Sequence, residues 1–143
     1  MSSVVYPLTE AFKKALSETL KPDRSTPARR LSSYSLAAGE SVNIDITDLS
    51  GWSTVIVAVR ATYHESATAG VRIRWLYSPD GTEFDSPDDA EAQGNYEDLS
   101  FEAGKTRQRT ILIPALAPNV RIQIVNLDSA YPVTIDAWTW TLR

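Results

Sequence analysis

A single histidine, four tryptophans and an uneven spread of charge are the features of this sequence that could do chemistry. His64 precedes the turn-like run Glu65-Ser66-Ala67-Thr68-Ala69-Gly70. A nucleophilic relay through it would need a serine on a Gly-x-Ser-x-Gly elbow or an equivalent, and no such elbow occurs. A solvated loop histidine is therefore expected. Between Arg74 and Lys105 there is no Lys or Arg, yet nine of the eighteen acids fall there. Hard cations take clustered carboxylates, which makes Asp85, Asp88 and Asp89 the calcium candidates, although their spacing is not that of an EF-hand. No spacing marks an acid and a nucleophile of a paired-carboxylate glycosidase. The leading functional reading of the acids is electrostatic, a negative face complementary to a basic segment, with calcium second.

Other chemistry is excluded by composition. There is no cysteine, so disulfides, thiol catalysis and zinc-thiolate sites are out. No Walker loop, Gly-x-Gly-x-x-Gly or HExxH motif occurs. The expectation is no enzyme, no catalytic residue and no cofactor. A net charge of −4 argues against nucleic acid as a partner. No apolar run reaches the roughly 18 residues needed to span a bilayer, and Met1-Ser-Ser-Val-Val-Tyr-Pro7 lacks the basic and apolar regions of a signal peptide. No membrane partner is expected.

The charge asymmetry coincides with a change in pattern. Residues 1–30 carry six Lys/Arg against three acids, and the remainder eight against fifteen. Leu8, Phe12, Leu16 and Leu20 recur every four residues, with Ala11 and Ala15 beside them, which predicts a helix over 7–20 with one apolar stripe. Pro7 suits its first turn and Pro22 stops it. Residues 21–30 hold two prolines and almost nothing apolar, and read as an extended linker. The division expected is a helical arm with linker over 1–30 and a sandwich domain over 31–143.

From Leu31 the period is two. Val42, Ile44 and Ile46 alternate with polar residues, as do Val71, Ile73 and Trp75, Val120, Ile122 and Ile124, and Val133, Ile135 and Ala137. Strands over 54–61 and 107–113, with weaker ones near 31–36 and 96–101, bring the count to about eight. Turn signals such as Pro79-Asp80-Gly81 separate them. The fold class is mainly β: an antiparallel, jelly-roll-like β-sandwich with an N-terminal helical arm. Residues 85–95 read as a long, polar, acidic loop.

Several strands carry apolar residues on both faces. Ile56 and Ala58 oppose the Val55/Val57/Val59 face, Leu76 opposes Trp75, and Trp138 and Trp140 oppose Ile135 and Ala137. Such surface needs a cover: the N-terminal helix, a second copy of the chain or another protein. With interleaved arginines it has the composition of interface centres, so Arg72, Arg74, Leu76, Trp138 and Trp140 are the candidates for an oligomer interface.

The run Val71-Arg-Ile-Arg-Trp-Leu-Tyr-Ser-Pro-Asp-Gly-Thr-Glu-Phe-Asp85, followed by Ile113-Pro-Ala-Leu-Ala-Pro-Asn-Val-Arg-Ile-Gln-Ile-Val-Asn126, resembles small β-sandwich structural proteins of tailed bacteriophages. In overall plan the chain is most similar to the capsid decoration (auxiliary or cement) proteins of thermophilic long-tailed phages. That resemblance implies a homotrimer on the outer capsid surface of the virion, bound to the major capsid protein and stabilising the mature shell by mass action. It implies an arm contact through Leu8, Phe12, Leu16 and Leu20, with Arg24, Arg29 and Arg30 in the linker. The acidic loop is a departure for which the resemblance gives no role. Ser-Pro-Asp-Gly-Thr is also simply good turn chemistry, and such turns occur in carbohydrate-binding sandwiches and tail-fibre domains. The alternative is thus a carbohydrate- or receptor-binding module of a phage tail or cell surface, with Trp52, Trp75, Tyr131, Trp138 and Trp140 as candidate platform aromatics.

Overall fold

The computed structural model describes Glu10, Ala11, Lys13 and residues 23–143. Glu10, Ala11 and Lys13 are helical and exposed; the rest of the expected helix over 7–20, including Leu8, Phe12, Leu16 and Leu20, lies outside the described residues.

Eight strands and one short helix make up the remainder: β1 (Ala28–Leu36), β2 (Ser41–Ile46), β3 (Thr54–Tyr63), β4 (Val71–Ser78), α1 (Pro87–Ala92), β5 (Tyr96–Asp98), β6 (Thr106–Pro114), β7 (Asn119–Asn126) and β8 (Val133–Leu142). They form two antiparallel four-stranded sheets, with orders β1-β8-β3-β6 and β2-β7-β4-β5. Period-two alternation decides which residues lie between them, because successive side chains on a strand point to opposite faces. Val55, Val57 and Val59 of β3, Ile113 of β6 and Ile135 of β8 meet Ile73 of β4 and Ile122 and Ile124 of β7, all fully excluded from water. Tyr77, facing inward from β4, crosses the sandwich and donates its hydroxyl to the Pro114 carbonyl of β6; burial pushes its pKa up to about 12.

The Pro79-Asp80-Gly81 turn forms as its residues require. Gly81 has φ +80°, a region that costs a side chain strain. The buried Ser78 hydroxyl accepts the Gly81 amide at 2.8 Å, and Asp80 accepts the Thr82 and Glu83 amides, each at 2.8 Å.

Three expectations are corrected. The boundary placed between residues 30 and 31 falls inside a strand: β1 begins at Ala28 and pairs with β8 from Ala28↔Thr139 to Leu36↔Val133. The stretch read as linker also lies along β8 from Asp23 onward, with Arg24 bridged to Leu142 and the Ser25 amide donating to the Thr141 carbonyl at 3.0 Å. Edge pairing with β8 satisfies this backbone without an apolar pattern of its own, so composition alone could not reveal it. The third correction concerns residues 85–95. Ser86 caps α1 by accepting the Asp89 amide, Pro87 occupies the first turn, and Asp88 and Asp89 follow where the helix dipole favours acids.

Candidate functional site

The two outer faces differ. On the β2-β7-β4-β5 sheet, polar side chains are used within the chain. Arg121 forms a forked pair with Asp45 at 2.7 and 3.1 Å and lies over the Phe84 ring. Arg72 bonds Asp98 at 2.8 and 3.1 Å and Glu91 at 2.9 Å, and stacks on Tyr96. Arg74 bonds Gln123 and reaches Glu91 at 3.3 Å. The hydrogen bonds from Arg72 hold the Glu91 carboxyl below its ordinary range. The chain leaves β4 where the Asp85 amide meets the Tyr77 carbonyl and returns where Asn95 accepts the Trp75 amide. Between these points α1 packs on β4, with Ala90 1% exposed. Leu76, expected to need a partner or the N-terminal helix as cover, is 3% exposed without a partner chain, and Arg72 and Arg74 are already paired in the single chain.

The β1-β8-β3-β6 sheet keeps an apolar outer row. Ile56 lies between Trp140 on β8 and Leu112 on β6. Leu112 is 59% exposed and Trp140 half-buried, with no described element over them. Trp138 is flanked by the guanidinium groups of Arg29 and Arg60, both of which bridge to Asp136. Ser33, at φ +47°, turns its amide onto the same carboxylate at 2.8 Å. Arg29 is therefore a strand residue locked into its own sheet, a correction to its placement in a free linker.

Beside this face a groove of about 210 Å³ opens between the sheet edges. One wall is the start of β1 with Ser25 and Thr26 before it, the other is the end of β2 with Thr47 and Asp48, and Thr139 and Thr141 of β8 and Trp52 complete it. The local folding that builds it is specific. The Thr141 amide and hydroxyl both donate to the Ser25 hydroxyl, at 2.8 and 2.9 Å, which fixes the entry to β1. Arg30 donates its Nε to the buried Thr139 hydroxyl at 2.8 Å. Asp48 sits at φ +55°, a strained conformation for a non-glycine residue. Trp52 packs against the core and carries the Arg143 guanidinium 4.7 Å from its ring centre. The groove thus offers two tryptophan side chains, Trp52 and Trp140, one cation, one carboxylate and several hydroxyls.

The remaining candidates are dispersed. Asp85 accepts the Tyr77 amide at 3.3 Å, while Asp88 and Asp89 lie exposed in the first turn of α1. Among the described residues no three His, Cys, Asp or Glu side chains converge as metal ligands. His64 stacks on Tyr131 with ring centres 4.2 Å apart, and its Nδ1 accepts the Ser66 amide. Trp75 is 7% exposed and belongs to the core. Of the platform aromatics only Trp52 and Trp140 line the groove. Sequence reasoning missed Thr26, Thr47, Asp48, Thr139 and Thr141 as site residues. The Asp48-Leu-Ser-Gly51 run signals a turn, and nothing in it signals a ligand wall.

No protein-family model and no curated protein matches the chain. Solved structures do match in fold. The PBSX exported protein XepA aligns with a TM-score of 0.52 at 11% identity over 82% of this chain and 37% of that one. The enzymatically active domain of bacteriophage CBA120 tailspike protein 4 aligns at 0.51 and 10% identity over 86% of this chain and 19% of that one. The carbohydrate-binding module CBM36, in complex with calcium and xylotriose, aligns at 0.47 and 15% identity over 85% and 93%. The chain spans well under half of the XepA and tailspike chains. The first two likenesses are of fold alone, and the two antiparallel four-stranded sheets define the class as a β-sandwich.

Proposed function

We propose that the chain is a non-catalytic, carbohydrate- or receptor-binding β-sandwich module, wired as a jelly roll, whose ligand lies in the groove between β1 and β2. The groove itself carries the reading. It sets Trp52 beside Arg30, Asp48 and a row of threonine hydroxyls on strands fixed by their own sheets. A sugar needs an apolar ring to lie against and fixed polar groups to receive its hydroxyls. A rigid scaffold whose groove wall carries a left-handed residue at Asp48 suits binding better than turnover. A bacteriophage tailspike domain stands among the structural neighbours, a likeness of fold that leaves the ligand to be read from the site. The experiment is a glycan array followed by calorimetry. Trp52→Ala and Asp48→Asn should each weaken binding about tenfold or more, and Asp48→Asn keeps the backbone because asparagine tolerates the left-handed region. A wild-type protein that binds no glycan and no cell envelope would overturn the reading.

One observation favours a second reading. Leu112, 59% exposed, and the half-buried Trp140 flank the buried Ile56 with no described element over them, and apolar surface of that kind is buried in assemblies. It accords with a homotrimeric decoration protein seated on the major capsid protein at the outer surface of a virion. A trimer by light scattering that binds only expanded shells would support this; a monomer without shell binding would remove it.

A further inference from the structure

Among the ten arginines of the described residues, eight lie within 4.0 Å of a carboxylate: Arg29 and Arg60 on Asp136, Arg72 and Arg74 on Glu91, and Arg107, Arg109, Arg121 and Arg143 on partners of their own. Arg24 and Arg30 have no carboxylate partner among the described residues. Only Arg30 of these two lines the groove. Its Nε is held by the Thr139 hydroxyl at 2.8 Å, and Thr139 is itself 3% exposed and fixed in β8. A side chain anchored at Nε loses little further freedom when its terminal nitrogens bind, and two parallel N–H groups match the two oxygens of a carboxylate.

Resting on the binding-module reading, we propose that the groove takes an acidic sugar, a uronate or sialate residue of a glycan, whose carboxylate is received by the Nη1 and Nη2 groups of Arg30. Asp48 then accepts sugar hydroxyls, and Trp52 supports the ring. Arg30 is exposed in the free protein, and a neutral sugar would cover part of its guanidinium without supplying the two charged acceptors that a carboxylate brings, a difference that separates the two ligand classes. Among the described residues the other strand arginines are paired internally, and Arg30 is the strand arginine left for a ligand.

The test is an array carrying neutral, uronate-bearing and sialate-bearing glycans, read with wild-type protein, Arg30→Gln, Arg30→Lys and Asp48→Asn. The strongest wild-type binders should be carboxylated. Reducing their carboxylate to an alcohol should weaken binding roughly tenfold or more. Arg30→Gln should cost about as much, and Arg30→Lys should recover part of it. Binding by wild type should fall as salt rises. If the strongest binder is neutral and depends on Asp48 and not on Arg30, the acidic-sugar assignment is wrong and the module reading stands. If nothing on the array binds, the module reading fails and the assignment with it. Circular dichroism of each variant separates loss of binding from loss of fold.

Discussion

Asp128 accepts the Thr68 amide at 2.7 Å, and through that bond the β7–β8 connection holds the β3–β4 connection. The same carboxylate receives the amides of Ala69, Ala130 and Tyr131, and Asn126 next to it binds the carbonyls of Leu36, Ala37 and Tyr131. One buried pair thus gathers three loops at one end of the sandwich. Backbone hydrogen bonds, that from Thr68 foremost, hold the Asp128 pKa far below the carboxylate range. The unfolded chain takes up a proton there near pH 4 that the folded chain refuses, so this contribution is complete above about pH 5 and declines as pH falls. Urea midpoints between pH 6 and pH 2.5 should fall for wild type. Asp128→Asn should be less stable at pH 6 and show a shallower fall. Parallel curves would contradict the account.

Asp136 should behave as the keystone of the β8 outer face. Its side chain is 7% exposed, while those of Arg29 and Arg60 are 44% and 39% exposed. Asp136→Ala strands the Ser33 amide and both guanidinium groups and should cost about 1–3 kcal/mol, discounted for the exposure of the arginines. Arg29→Gln should stay within about 1 kcal/mol, because Arg60 and Ser33 still satisfy the carboxylate. Chemical denaturation of the two variants decides; equal losses would refute the asymmetry.

Core and outer row should respond in opposite ways. Ile122 is fully buried between the sheets, and Ile122→Ala should cost about 2–5 kcal/mol. Leu112→Ser should change stability by no more than about 0.5 kcal/mol in a monomer. A large loss for Leu112→Ser that depends on protein concentration would mean that another copy covers this face.

Gly81→Ala forces a side chain into φ +80° and should cost about 1 kcal/mol, with Gly81→Asn costing less. Thermal melts of both, together with wild type, check the order.

The strands that alternate cleanly were open to sequence reading for a physical reason. Ile44, Ile73, Ile122 and Ile135 are buried because they share the inward parity of their strands, and parity is visible in one dimension. Residues 28–30 of β1 escaped it because an edge strand held by Asp136, Thr139 and the backbone of β8 needs no alternation. Helix α1 was missed because Asp88, Asp89 and Glu91 look like a solvated acidic loop. Yet Ser86-Pro87-Asp88-Asp89 is a helix start, and weighing the cap above the charge would have found it. The groove was not legible. Arg30 reads as one of several linker cations, and what distinguishes it is its place on the groove wall and the pairing of the other strand arginines, Arg29 with a carboxylate 107 positions away. The left-handed backbone of Asp48 is likewise a property of the turn between sheets, set by the Leu49 amide reaching Pro118.

Asp23 and Arg143 are joined by an ion pair and a backbone hydrogen bond, and Ser25 and Thr141 just inside them help to line the groove. Whatever polypeptide is joined after Arg143 therefore departs beside the groove. An affinity tag or fluorescent reporter fused at the back would crowd that opening, whereas the tip of the distal Ala37–Glu40 hairpin offers a site for a label that leaves the doorway clear.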